Sequence, residues 1–273
     1  MARPAFSALW GRRDAPGSLL HLLFGGRRLG VWLIAALLAL WEVSARAHWV
    51  ASENWPPVSA VLATAVAAFG GGDLIAALGG TLYRMATGFV LGSLAGVVVG
   101  IMLAISGPLR LTLEPTLDIL RPLPVPALIP PLVLFLGLDD PMKISLVAAT
   151  SFFPVVVNTI EGALSIEPTY RAVAATFGTS RLATVAKVLL PATLPYVFAG
   201  MRTSLGLAFV VAVVAEMIAG AQGIGYYIVS MQFAMRPAEM YAALLLLGAS
   251  GYLLNACFVA FEARVLHWYA REG

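Results

Sequence analysis

Met85–Ile105 reads MATGFVLGSLAGVVVGIMLAI, 21 residues without a charge. A helix of that length rises about 30 Å, the thickness of a bilayer's hydrocarbon core. The rest of the chain agrees. Of 273 residues 60% are hydrophobic and 11% charged, and mean hydropathy is +0.89, whereas soluble chains carry about 25% charged residues to solvate their surface. That excludes a soluble enzyme, a disordered chain and a nucleic-acid binder, and the net charge of +3 does not by itself imply a nucleic-acid partner.

Working outward, five further stretches reach or approach spanning length: Leu29–Ala45, Asp118–Leu138 (apolar but interrupted by prolines), Ile144–Ile160, Thr203–Ala219 and Met240–Phe261. The reading is an all-α integral membrane protein of six transmembrane helices. Loop charges orient it. With the N-terminus inside, Arg3, Arg12, Arg13, Arg27, Arg28, Arg110, Arg171, Arg181, Lys187, Arg202, Arg264 and Arg271 lie inside, against Arg46, Lys143 and Arg236 outside. Both termini are therefore expected in the cytoplasm, with residues 1–28 a cytoplasmic segment and 29–273 the transmembrane domain. The opening arginines, apolar run and Ala45-Arg46-Ala47 mimic a secretory leader, but the run reaches spanning length and is read as retained. Outside, Ala47–Thr81 is expected to hold a short helix near Ser59–Phe69 and a flexible Gly70-Gly71-Gly72.

Gly88, Gly92, Gly96 and Gly100 mark one helix face every four residues, where a second backbone can approach closely. The arrangement suits intrachain packing, a moving contact or dimerisation. Arg121-Pro122-Leu123-Pro124-Val125-Pro126, followed by Pro130-Pro131, cannot be a regular helix. Non-helical backbone at membrane depth is tolerated inside protein or beside a water-filled cavity. Either a kinked helix within the bundle or a broken segment lining a solute pathway fits, the latter with Asp118, Arg121, Pro124 and Pro126 along it. Glu216 is an acid inside a span, and such a group either serves function or pairs with a buried base such as Arg84. Asn158 and Glu161 end the fourth span, and Asn158 and Glu216 are read as further candidates along the solute pathway. Asp139-Asp140, followed directly by Pro141, reads as a solvated loop with no third acid for a metal. The single cysteine, Cys257, cannot form an intrachain disulfide, and His21, His48 and His267 all lie outside the spans.

The loop 161–202 is the longest polar stretch between spans. Tyr170, Val173, Ala174 and Phe177 recur at i, i+3, i+4 and i+7, as do Leu182, Val185, Ala186 and Leu189. Gly178-Thr179-Ser180 separates the two helices, with Ser180 placed to cap the second and Pro191 to close it. Two short amphipathic helices on a glycine elbow suit a protein groove better than a lipid surface.

Tyr170–Ser180, YRAVAATFGTS, with Leu189-Leu190-Pro191, resembles the "EAA" loop of ABC importer permeases. Trp41-Glu42, Pro56-Pro57-Val58-Ser59-Ala60-Val61, Arg121-Pro122-Leu123-Pro124, Asn158-Thr159, Leu194-Pro195-Tyr196 and Val214-Ala215-Glu216-Met217 extend the resemblance over residues 31–268, to the sulfonate, taurine and nitrate branch. Val173 stands where the motif's name expects Glu, while Ala174, Ala175 and Gly178 match.

The resemblance implies a type I ABC importer permease fold with cytoplasmic coupling helices, in a bacterial inner membrane. It implies a homodimer of permeases, two ATP-binding subunits and a periplasmic solute-binding protein. Tyr170, Val173, Ala174, Ala175, Phe177, Gly178, Thr179, Ser180 and Arg181 would form the ATPase contact. The chain has no G-x-x-x-x-G-K-[ST], since neither Lys143 nor Lys187 follows a glycine. ATP and magnesium are thus expected on the partner subunits, with no cofactor, metal or catalytic residue here. A secondary transporter would need coupling-ion groups at mid-depth. An intramembrane lipid-modifying enzyme would need convergent acids or a nucleophile with its base. Sulfonate, taurine, nitrate, bicarbonate, aromatic acids and vitamin precursors all remain open as solutes.

Overall fold

The computed structural model describes residues 26–50 and 52–268, and the secondary structure there is helical throughout. In order it runs α1 Gly26–Arg46, α2 Val58–Gly71, α3 Asp73–Ile105, α4 Gly107–Leu120, a 3-10 turn Val125–Leu128, α5 Ile129–Leu136, α6 Asp140–Ser165 and α7 Pro168–Thr176. Then come α8 Arg181–Ala219, α9 Ile224–Phe233 and α10 Pro237–Val265. The described residues up to Ala60 form one compact unit and those from Val61 onward another. Among the described residues α3, α6, α8 and α10 are long and apolar enough to cross a membrane, and the bent pair around Arg121–Pro124 makes a fifth if it is counted as one span. The cytoplasmic assignment of residues 1–25 and 269–273 lies outside the described residues.

In the first unit the loop after α1 folds back upon it. The Trp41 and Trp55 rings lie 5.3 Å apart, Trp41 Nε1 donates to the Pro56 carbonyl at 3.1 Å, and Trp55 Nε1 to Ser44 Oγ at 3.0 Å. Glu42 accepts the Ser59 backbone N–H at 2.9 Å, placing a carboxylate at the start of α2, where free N–H groups favour negative charge.

In the second unit α6 is the central element, packed along both α3 and α8. The glycine face of α3 makes this possible. A Cβ added at Gly88 would stand 2.6 Å from Val147 Cβ, and at Gly100 2.6 Å from Thr159 Cβ. At Gly92 it would strike the Ala148 carbonyl, and at Gly96 it would press on Phe152 O and Val155. Lipid supplies no hydrophobic drive between helices, so this backbone approach carries the packing. Gly200 of α8 likewise nestles against the Pro154 carbonyl of α6. Phe258 of α10 joins the seam at 6.2 Å from Phe89 and 5.9 Å from Phe198.

The structure moves several expected boundaries. α3 begins at Asp73, so residues 73–81 belong to the helix and not to an outer loop. Gly70 and Gly71 lie within α2, and Gly72, at φ +80°, makes the turn alone. Asp118–Leu138 is not one continuous helix. α4 runs through Pro115 to Leu120, and the chain then bends by 93° into the arm Val125–Leu136. Pro191 does not close the helix after Ser180. A π turn at Val185–Leu189 widens the backbone so that Leu190 N–H reaches Val185 O. Pro191 then falls in the first turn of the following α segment, where a missing N–H is harmless.

Candidate functional site

Three features gather the polar chemistry. The first is a buried charged seam joining α3, α6 and α8. Arg84 lies on α3 one turn after Thr81, and Glu216 near the end of α8. Arg84 Nη1 donates to Glu216 Oε1 at 3.0 Å, and Arg84 Nε to Asp140 Oδ1 at 2.5 Å. Thr81 Oγ1 donates to Glu216 Oε2 at 2.7 Å and accepts the Ile224 N–H at 2.9 Å. Gly225 N–H completes the carboxylate at 3.1 Å. Glu216 is 1% exposed and Arg84 5%, so the pair stands in low dielectric, with both carboxylate oxygens satisfied as burial demands.

The loop after α8 closes over this pair. Gly223 has φ +105°, and a Cβ there would fall on the Glu216 carboxylate, so only glycine serves. Lys143, one turn into α6, is 3% exposed. It lines a cavity with Arg84, Asp139, Asp140 and Gln222.

The second feature is the break itself. Its turn bounds a cavity of about 420 Å³ lined by Arg121, Val125 and Pro126, by Thr150, Phe153, Pro154, Val157 and Asn158 of α6, and by Thr203, Leu207 and Val211 of α8. Asn158 Nδ2 donates to the Pro154 carbonyl at 2.8 Å. The break therefore lies against the middle of the two central helices.

The third is the elbow. Gly178 adopts φ +67°, the left-handed conformation that ends a helix without strain in glycine. Thr179 N–H bonds back to Ala174 O at 3.0 Å. Ser180 Oγ accepts the Ala183 N–H at 3.3 Å, capping α8. Ala174 is buried, but Phe177 is 83% and Leu182 80% exposed, with Tyr170 and Val173 also outward. The apolar face lies uncovered at Tyr170, Val173, Phe177 and Leu182, while Leu189 and Val185 pack with Ile101, Ala104 and Ala163. Arg181, Thr179 and Thr184 line a cavity with Ser106 at the turn between α3 and α4.

Of the residues read as a solute pathway, the structure brings Arg121, Pro126 and Asn158 around one cavity. Asp118 is exposed on α4, and Pro124 lies in the turn outside the lining. Glu216 belongs to the seam. Asp140 corrects the solvated-loop reading, because α6 begins at Asp140 with Pro141 in its first turn and so carries the carboxylate to Arg84. Thr81 and Lys143 also escaped sequence reasoning. Thr81 gives no signal beyond its i, i+3 spacing from Arg84. Lys143 reads as a loop charge from sequence, because the apolar run begins at Ile144, whereas the helix begins at Asp140.

The chain is similar to several known proteins. Residues 92–268 match the family model described as binding-protein-dependent transport system inner membrane component. The chain is 31% identical to the aliphatic sulfonates transport permease protein SsuC of Bacillus subtilis, over 88% of this chain and 87% of that protein. It is 33% identical to the nitrate import permease protein NrtB of Leptolyngbya laminosa, over 68% and 67%. It is 32% identical to the bicarbonate transport system permease protein CmpB of Synechococcus elongatus, over 70% and 68%. Among solved structures, an inward-facing form of the MetNI methionine ABC transporter matches with TM-score 0.61 at 20% identity, covering 71% of this chain and 96% of that one. An amino acid ABC transporter crystallised with histidines matches with TM-score 0.55 at 15% identity, covering 70% and 92%.

Proposed function

From the premise that the chain belongs to the binding-protein-dependent transport system inner membrane component family, we propose that it forms the path for a small anionic solute in an ATP-driven importer of a bacterial inner membrane. It is a permease subunit of the ABC importer type. The finer reading has six spans, α1 and the bent pair included, both termini in the cytoplasm, and α7 with the start of α8 as the coupling element. Two copies assemble with two ATPase subunits, and a periplasmic binding protein delivers the solute. Sulfonate, nitrate and bicarbonate, named for its relatives, share one negative charge and an oxyanion head.

The uncovered apolar face of the elbow carries this reading. Burying Tyr170, Val173, Phe177 and Leu182 against a groove removes apolar area from water at roughly 25 cal/mol per Å², and a chain without a P-loop needs such a partner for its energy. ATPase closure then moves the elbows and rocks the spans between inward- and outward-open states.

The test is purification of the intact assembly from native membranes. An ATPase subunit should co-purify with the wild-type chain. Gly178→Val, which forces a β-branched residue into the left-handed region at a cost of about 1–3 kcal/mol, should insert normally yet lose solute uptake. Uptake at the wild-type level with the ATPase bound rules out the elbow as coupling element.

A further inference from the structure

Resting on that permease reading, we propose that the cavity at the break between α4 and α5 is a station for an organic oxyanion. The Arg121 guanidinium and the Asn158 amide would hold its head, and its apolar part would lie against Phe153, Val157 and Leu207.

Arg121 is the one charged residue lining the cavity, and no acid lines it. Among the described residues Arg121 has no ion-pair partner within 4.0 Å, although Asp118 lies three residues before it. A guanidinium stays charged at every working pH and presents a planar fork matched to two oxygens of one anion. Asn158 uses one amide hydrogen on the Pro154 carbonyl and keeps the other. The hydroxyls of Thr150 and Thr203 donate back into their own helices, to Leu146 O at 2.9 Å and Ala199 O at 3.2 Å. They offer lone pairs to the cavity, not protons. Its donors are therefore Arg121 and Asn158.

The remaining wall is apolar, and about 420 Å³ falls in the range of small-molecule sites. A bare inorganic anion such as nitrate or bicarbonate pairs with Arg121 but leaves that wall facing water. A neutral organic molecule covers the wall but leaves the guanidinium unpaired. An organic sulfonate or carboxylate does both, since apolar cover and a charge-assisted hydrogen bond add. The cavity beside Lys143 and Arg84 is a poorer host, because Asp139 and Asp140 line it as well.

The experiment uses the intact permease–ATPase complex in detergent, without binding protein, and titrates butane-1-sulfonate, pentanoate, sodium nitrate and butan-1-ol by calorimetry. At least one of the two organic anions should bind, with nitrate and butanol much weaker. Which of the two binds names the head group. Arg121→Met should weaken that binding by roughly ten- to a hundredfold, as loss of a hydrogen bond to a charged group predicts. Arg121→Lys should retain part of it. Leu207→Trp, which keeps the charge and fills the cavity, should abolish it while the complex still purifies. Unchanged affinity in Arg121→Met, or nitrate bound as tightly as the organic anions, overturns the proposal. A wild-type chain that never carries an ATPase subunit counts against the assembly reading instead, and the titration on the permease alone still decides the station.

Discussion

Arg84 and Glu216, 132 residues apart in sequence, meet at 3.0 Å, both almost wholly out of solvent. The guanidinium also holds Asp140, so one side chain of α3 ties the start of α6 to the end of α8. Breaking such a pair leaves a buried charge uncompensated, at about 3–5 kcal/mol. Arg84→Met, which leaves the Glu216 carboxylate without its cation, should lower the detergent melting temperature sharply, and Glu216→Leu less so because Asp140 still pairs with Arg84. The double variant Arg84→Met/Glu216→Leu should recover part of the loss, which a double-mutant cycle of melting temperatures measures.

Lys143 should behave in the opposite sense. It lies buried in the same neighbourhood, but among the described residues no carboxylate comes within 4.0 Å of its ammonium group. Desolvation there is not repaid by a close partner. Lys143→Met, similar in length and apolar, should raise stability by about 1 kcal/mol. A lower melting temperature would show that the longer-range attraction to Asp140 and Glu216 dominates.

Two glycines separate space from propensity. Gly92→Ala forces a methyl into the Ala148 carbonyl and should cut folded yield by pushing α3 off α6. Gly79→Ala, on the same helix with nothing within 4 Å, should stabilise by up to about 1 kcal/mol through helix propensity. Size-exclusion profiles and melting temperatures of the two variants give the comparison.

Topology is checked by labelling. In a Cys257→Ser background, a cysteine at position 179 should react with a membrane-impermeant maleimide only after the cells are opened. Reaction in intact cells inverts the orientation.

Much of this was legible because the signals are local. Hydropathy marked α6 and α10 within about five residues and the end of α3 but not its start, which lies at Asp73, and Gly178 and Ser180 behave as their backbone chemistry dictates. Arg84 and Glu216 were legible as a pair because a charge in a span requires a partner. Asp140 was not, since its role depends on where α6 begins, and Pro141 reads equally as a loop residue or as the first turn of a helix. Pro191 misled for a related reason. A proline ends a regular helix, but a π turn one step earlier shifts the hydrogen-bond register and lets the helix continue, a choice made by tertiary packing. Trp41-Glu42 and Pro56–Ser59 stood out only as motif residues, and their hydrogen bonds to each other appear once the loop has folded back.

The π turn leaves α8 a single rod of 39 residues, roughly 58 Å at 1.5 Å per residue. Its first residue, Arg181, adjoins the elbow, and Glu216 sits three residues from its far end. A helix of this kind acts as a lever stiff except near its elbow end, where five residues at Val185–Leu189 depart from α geometry and Pro195 lacks a backbone donor. A tilt imposed at the elbow is therefore felt at the seam as a pull on Arg84, and through Arg84 on α3 and α6. The compliance of the whole arm is concentrated between Val185 and Pro195.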